Sequence, residues 1–114
     1  MAYNRHLADK ITNIIASSTS NFYEKEMMGG ITWMVDEKMC ISIFKEELMV
    51  RINLDETDEL LQRIGARQMI HGNKPAKGYL TIAPLGFDSD DDLGFWVEKC
   101  LEHNPKVKAS KKKK

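Results

Sequence analysis

Residues 31–52, ITWMVDEKMCISIFKEELMVRI, decide the fold. Apolar residues stand at every second position in three runs: Ile31, Trp33 and Val35; Met39, Ile41 and Ile43; Leu48, Val50 and Ile52. A period of two is the pattern of strands with one buried face. The polar breaks between the runs test that reading, because a hairpin register must set apolar residues opposite one another. A three-residue DEK loop places Val35 opposite Met39 and Trp33 opposite Ile41. A four-residue FKEE loop places Ile43 opposite Leu48 and Ile41 opposite Val50. Both loops define the same core face, and the other face then presents Thr32, Met34, Cys40, Ser42, Phe44, Met49 and Arg51.

Upstream, EKEMMGG at 24–30 reads as a strand running into a hairpin turn. Paired glycines supply the positive φ angles of a two-residue turn, so Gly29 and Gly30 are the expected turn residues. That turn pairs Met28 with Ile31, Met27 with Thr32 and Glu26 with Trp33, leaving Met28 in the core and Met27 beside Met34 on the open face. A bulged three-residue turn would pair Met27 with Ile31 instead. Before it, Leu7, Ile11, Ile14 and Ile15 share one stripe of a helix spanning about 3–17, and SSTSN ends it in a loop.

Downstream, DETDELLQRIGAR predicts a short helix capped by Asp55, with Leu60, Leu61 and Ile64 inward and Gly65 at its end. Strands follow at 67–71 and 78–83, joined by the loop GNKPAK. Ser89, three residues before Asp92, caps a final helix whose stripe is Leu93, Trp96, Val97, Cys100 and Leu101. The order α-β-β-β-β-α-β-β-α implies a two-layer α+β fold, a mostly antiparallel sheet with helices on one face.

The chain has 114 residues, enough for a single core, and its 42% hydrophobic and 30% charged residues fit a globular domain. No apolar run approaches the roughly 20 residues of a membrane span, and MAYNRHLADK lacks a signal-peptide core, so a cytoplasmic protein is expected without membrane contact. Two cysteines do not make a disulfide framework, and both are read as free thiols. Residues 106–114 hold six of the 17 basic residues and none of the 17 acidic ones, so the remainder sets 11 bases against 17 acids, a net charge of minus six. The expected organisation is a domain at 1–104 and a basic tail at 105–114.

Residues capable of chemistry are scattered. Cys40 has neither a histidine nearby in sequence nor a helix N-terminus to activate it. Cys100 and His103 share a metal-ligand spacing, but zinc needs three or four protein ligands, and His6 and His71 complete no recognised pattern. Asp88, Asp90, Asp91 and Asp92 lack the glycine and distal glutamate of a calcium loop and are explained by helix capping. GNKPAKG has no P-loop spacing. No catalytic residue, metal or cofactor is therefore expected, and the protein is read as non-enzymatic.

The ordered set KEMMGGITWMV, DEKMCISIF, ELMVRI, GARQM and NKPAKGY resembles the TfoX/Sxy N-terminal domain family from about residue 7 to residue 104. Met28 stands where that family more often has phenylalanine. The resemblance implies a two-layer α/β fold of the secretion-chaperone-like kind and a regulatory role. Full-length members in competent bacteria regulate DNA-uptake genes and carry a second, helical domain, for which this chain leaves no room.

Function is thus expected in surface contacts. Met27, Met34, Phe44, Met49 and Arg51 form the candidate interaction face, for a protein partner or a second copy of the chain, because flexible thioethers adapt to irregular surfaces. Arg67, Lys74, Lys77, Lys111, Lys112, Lys113 and Lys114 are the candidates for anion or nucleic-acid contact. Direct DNA binding in transcription control is the alternative, disfavoured by the lack of a recognition helix rich in Arg, Asn or Gln.

Overall fold

A computed structural model describes the backbone of residues 5–27 and 30–106, and their side chains except those of Met27, His71 and Lys106. Helix α1 spans Arg5–Ala16, followed by strands β1 (Phe22–Met27), β2 (Gly30–Val35), β3 (Lys38–Phe44) and β4 (Glu47–Arg51). A 3-10 turn at Leu54–Glu56 leads into the one-turn helix α2, Thr57–Leu60. Strands β5 (Ala66–His71) and β6 (Lys74–Ile82), a 3-10 turn at Pro84–Gly86 and helix α3 (Asp90–His103) complete the order. The strands form one sheet, β1-β2-β3-β4-β6-β5, in which every neighbouring pair is antiparallel. The α+β fold expected from the periodicities is the one found.

One face of the sheet supplies Ile31, Trp33, Ile41, Ile43, Leu48, Val50, Leu80 and Ile82 to the core, and the helices answer with Ala8, Ile11 and Ile15 from α1 and Leu93, Trp96, Val97 and Cys100 from α3. Burying an Ile or Leu side chain of this kind contributes roughly 1.5–3 kcal/mol, so this double layer dominates the fold's stability. Both tryptophans keep a polar contact. Trp33 Nε1 donates to Thr12 Oγ1 at 3.0 Å, and Thr12 Oγ1 donates to Glu24 Oε2 at 2.5 Å, tying α1 to two strands. Trp96 Nε1 donates to the Gly86 carbonyl at 3.2 Å. Ser89 caps α3 as expected, its hydroxyl accepting from the Asp92 amide at 3.1 Å.

The registers hold in the middle of the sheet and differ at its turns. Trp33 faces Ile41, and Ile41 faces Val50, as the alternation requires. The first loop, however, has two residues, not three. Asp36 and Glu37 both adopt positive φ, at 53° and 67°, and set Val35 opposite Lys38 and Met34 opposite Met39. Asn21 holds this turn: its carbonyl accepts from the Asp36 amide at 2.9 Å, and its Nδ2 donates to the Asp36 carboxylate at 2.7 Å. A one-residue bulge in β3 then restores the register. Its effect is to exchange two side chains: Cys40 enters the core at 1% exposure, while Met39 leaves it.

The first hairpin is also shifted. Glu24, not Glu26, lies opposite Trp33, and Met27 lies opposite Gly30, so Gly30 opens a strand and is no turn residue. Met28 and Gly29 lie outside the described residues. Gly30 is required for another reason: a Cβ there would stand 2.3 Å from the Ile43 carbonyl oxygen. At the second helix, Asn53 caps the 3-10 turn by accepting from the Asp55 amide at 2.9 Å, displacing Asp55 from the cap. Ile64, expected in the core, is 69% exposed because the helix stops at Leu60. The expected GNKPAK loop is also mostly strand. His71 pairs with Lys74 and Ile70 with Pro75, so Lys74 and Lys77 belong to β6.

Candidate functional site

The sheet face turned away from the helices is apolar at its centre. Thr32 on β2 and Ser42 on β3 are neighbours there, buried to 4% and 3% exposure, with their hydroxyl oxygens 2.8 Å apart. Each hydroxyl satisfies the other, so this floor shows methyl and methylene groups outward. Around it stand half-buried Met39, Met49 and Met69, with Phe44 at one end and Thr81 beside Met49. They enclose a trough of about 390 Å³. A second hollow of about 420 Å³ continues from the same three methionines to Lys74, Pro75, Ala76 and Tyr79.

Two irregularities build this trough. The β3 bulge delivers Met39. Where β5 meets β6, the register shifts between Gln68 and Ile70 with the extra residues on β6, and the Gln68 amide donates to the carbonyls of Met69, Ala76 and Tyr79 at 3.1, 3.0 and 3.2 Å. That clamp fixes the β5–β6 hairpin where Met69 meets Met39 and Met49.

Cations stand beside several of the lining residues. Arg51 lies over the Tyr79 ring at 5.4 Å, and Lys45 lies over Phe44 at 5.5 Å. Arg67, opposite Thr81, pairs with Glu47, which lies opposite Phe44. Lys25 pairs in register with Thr32. The helix layer has the opposite character: Glu56, Glu59, Asp90, Asp91, Asp92, Glu98 and Glu102 lie on or beside the helices.

Of the expected contact residues, Phe44, Met49 and Arg51 stand on this face. Met34 belongs to it by register but is only 9% exposed and supports the floor. Cys40, read as open-facing, is instead in contact with Cys100 in the core, where burial, and after it the neighbouring Cys40, pushes the Cys100 thiol well up. Met27 ends β1, with its side chain outside the described set. Lys74 reaches the far end of the trough, Lys77 is exposed on β6, and Lys111, Lys112, Lys113 and Lys114 lie outside the described residues. Sequence reasoning missed Met39, Met69, Tyr79 and Thr81. The odd residue count between Trp33 and Ile41 would have signalled Met39 had the turn been read as two residues.

The family model of the TfoX N-terminal domain matches residues 15–104. The chain belongs to this family. No curated protein and no solved structure matches it. In this TfoX N-terminal domain, the matched segment starts at the end of α1 and closes on Asn104, whose Nδ2 donates to the Val35 carbonyl at 3.0 Å. The glycine of the GAR motif, Gly65, has φ +84° and lies so close to Gly86 that a Cβ on it would stand 2.9 Å from the Gly86 nitrogen. That motif, like Gly30, serves the close approach of two backbones. Among the described residues, no group of three or more His, Cys, Asp or Glu side chains could hold a metal ion, and no helix is long and apolar enough to cross a membrane.

Proposed function

We propose that this TfoX N-terminal domain is a non-enzymatic regulatory module that acts through protein contacts made by the open face of its sheet. The observation that carries the reading is the methionine trough. Met39, Met49 and Met69 border a floor whose hydroxyls are already satisfied, leaving an apolar, adaptable surface of the kind that binds partners. The family's link to competence regulators supports a place in the control of gene expression. Direct DNA contact is the weaker reading, since α3 begins with Asp90, Asp91 and Asp92 and no described helix offers a basic face.

The test is Met49→Lys. Met49 is half-buried and borders open space, so the variant should fold, as circular dichroism would show. It should lose the partners that wild type captures from its native cells, or its self-association by light scattering. A folded Met49→Lys protein with unchanged association would sink the proposal.

A further inference from the structure

We infer that the trough is built to take an amphipathic α-helix whose apolar stripe is flanked by acidic residues. This rests on the reading of the open face as an interaction surface and goes further by naming what binds there. Strands β3, β4 and β6 under the trough are all interior, paired on both sides. Their amides and carbonyls are committed to the sheet, so an occupant lying over them receives no main-chain hydrogen bonds. It must bring its own backbone already satisfied, which an extended segment does not and a helix does.

Along β3 the lining extends from Met39 to Phe44, roughly 17 Å at about 3.3 Å per residue. A helix rises 1.5 Å per residue, so about 11 residues, three turns, lie along it. Mobile thioethers on both walls accept leucine-like side chains at i, i+3, i+4 and i+7.

Lys25 and Arg67 stand in register beside Thr32 and Thr81 of the lining, Arg51 lies over Tyr79 and Lys74 lines the adjoining hollow, against Glu47, the charged residue that lines the trough itself and is paired by Arg67. A second copy fits this poorly. Face to face, it would oppose the same cations, and the apolar stripes of its α1 and α3 are spent in its own core. Single-stranded nucleic acid fits poorly too: Phe44 and Tyr79, the aromatic rings at the trough, each carry a cation over one face.

The experiment measures fluorescence anisotropy of the full chain with four probes. They are a 14-residue Leu/Glu amphipathic peptide, the same peptide with Lys for Glu, a proline-interrupted Leu/Glu version, and a single-stranded oligonucleotide. The Leu/Glu peptide should bind about tenfold or more tightly than its lysine counterpart, and the proline version should lose binding. Lys74→Glu, exposed beside the hairpin turn, should weaken the Leu/Glu peptide and favour the lysine one. Met49→Lys should abolish binding of both. Equal binding of the two charge forms, undiminished binding of the proline peptide, or tighter binding of the oligonucleotide overturns the assignment. If Met49→Lys still abolishes native partner capture while the peptides show no charge preference, the interface stands and the acidic helix falls. If Met49→Lys alters neither, both fall.

Discussion

The hydroxyl oxygens of Thr32 and Ser42 lie 2.8 Å apart across β2 and β3, on the sheet face that no described helix covers. Both residues are nearly inaccessible, so each hydroxyl depends on the other. Removing one partner strands a buried polar group, which costs about 1–3 kcal/mol, whereas replacing both by apolar groups of similar shape is close to neutral. Ser42→Ala alone should therefore destabilise the domain by about 1–2 kcal/mol in urea unfolding, and Thr32→Val with Ser42→Ala should recover most of the loss. Additive effects in this double-mutant cycle would show the two hydroxyls to be independent.

Two glycines should respond to alanine in opposite directions. A Cβ on Gly86 would meet the Ile64 carbonyl oxygen at 2.5 Å and Ile82 Cγ2 at 2.6 Å, and Trp96 is anchored to the same residue. Overpacking of this kind costs about 1–3 kcal/mol, so Gly86→Ala should lower the melting temperature clearly. Gly94 lies inside α3 with nothing within 4 Å of a new Cβ, and Gly94→Ala should stabilise by about 0.5–1 kcal/mol. Thermal unfolding of the two variants side by side checks both signs.

Acid should act through the start of α3. Lys10 Nζ donates to Asp90 Oδ1 at 2.8 Å, and this hydrogen bond, followed by the charge of Lys10, holds the Asp90 carboxyl below its ordinary value of 3.8. Because the folded state favours the ionised form, the contribution is complete above the unfolded value and is lost as pH falls through the lower folded one. Lys10→Met should move the Asp90 titration, followed by carboxyl NMR, back up towards 3.8. An unmoved titration would assign the depression to something other than Lys10.

Both thiols should be silent in the folded protein. Cys40 and Cys100 are each 1% exposed, and burial raises the Cys100 thiol, which removes the thiolate that reacts. Ellman's reagent at pH 8 should modify neither until denaturant is added, and the modification rate should then follow unfolding. Rapid labelling of either cysteine in the native state would contradict the packing of the bulge against α3.

What could be read from sequence was what burial on one face imposes. Ile31, Trp33, Ile41, Ile43, Leu48 and Val50 alternate because water is excluded from one side only, and their pairing was legible. So was the Ser89 cap, a local bond between neighbours in sequence. Met39 and Met69 were not legible in their final places. Their positions follow from bulges held by Asn21, which reaches Asp36 fifteen residues away, and by Gln68, which reaches the opposite strand. Such clamps leave no period in the sequence. Half of the candidate site therefore depends on irregularities that a strict alternation averages away.

The ends of the sheet have a consequence for solubility. Among the described strands, the order β1-β2-β3-β4-β6-β5 leaves β1 and β5 as the rims, each paired on one side only, the places where sheets ordinarily recruit one another into fibrils. Here β1 carries Glu24, Lys25 and Glu26 in succession, and β5 carries Arg67 and meets β6 in an irregular register, so neither rim offers a flat, uncharged template. Polymerisation by strand addition is thereby discouraged at both margins, and a concentrated solution of this chain should stay clear of β-fibrils while its broad methionine surface stays open for use.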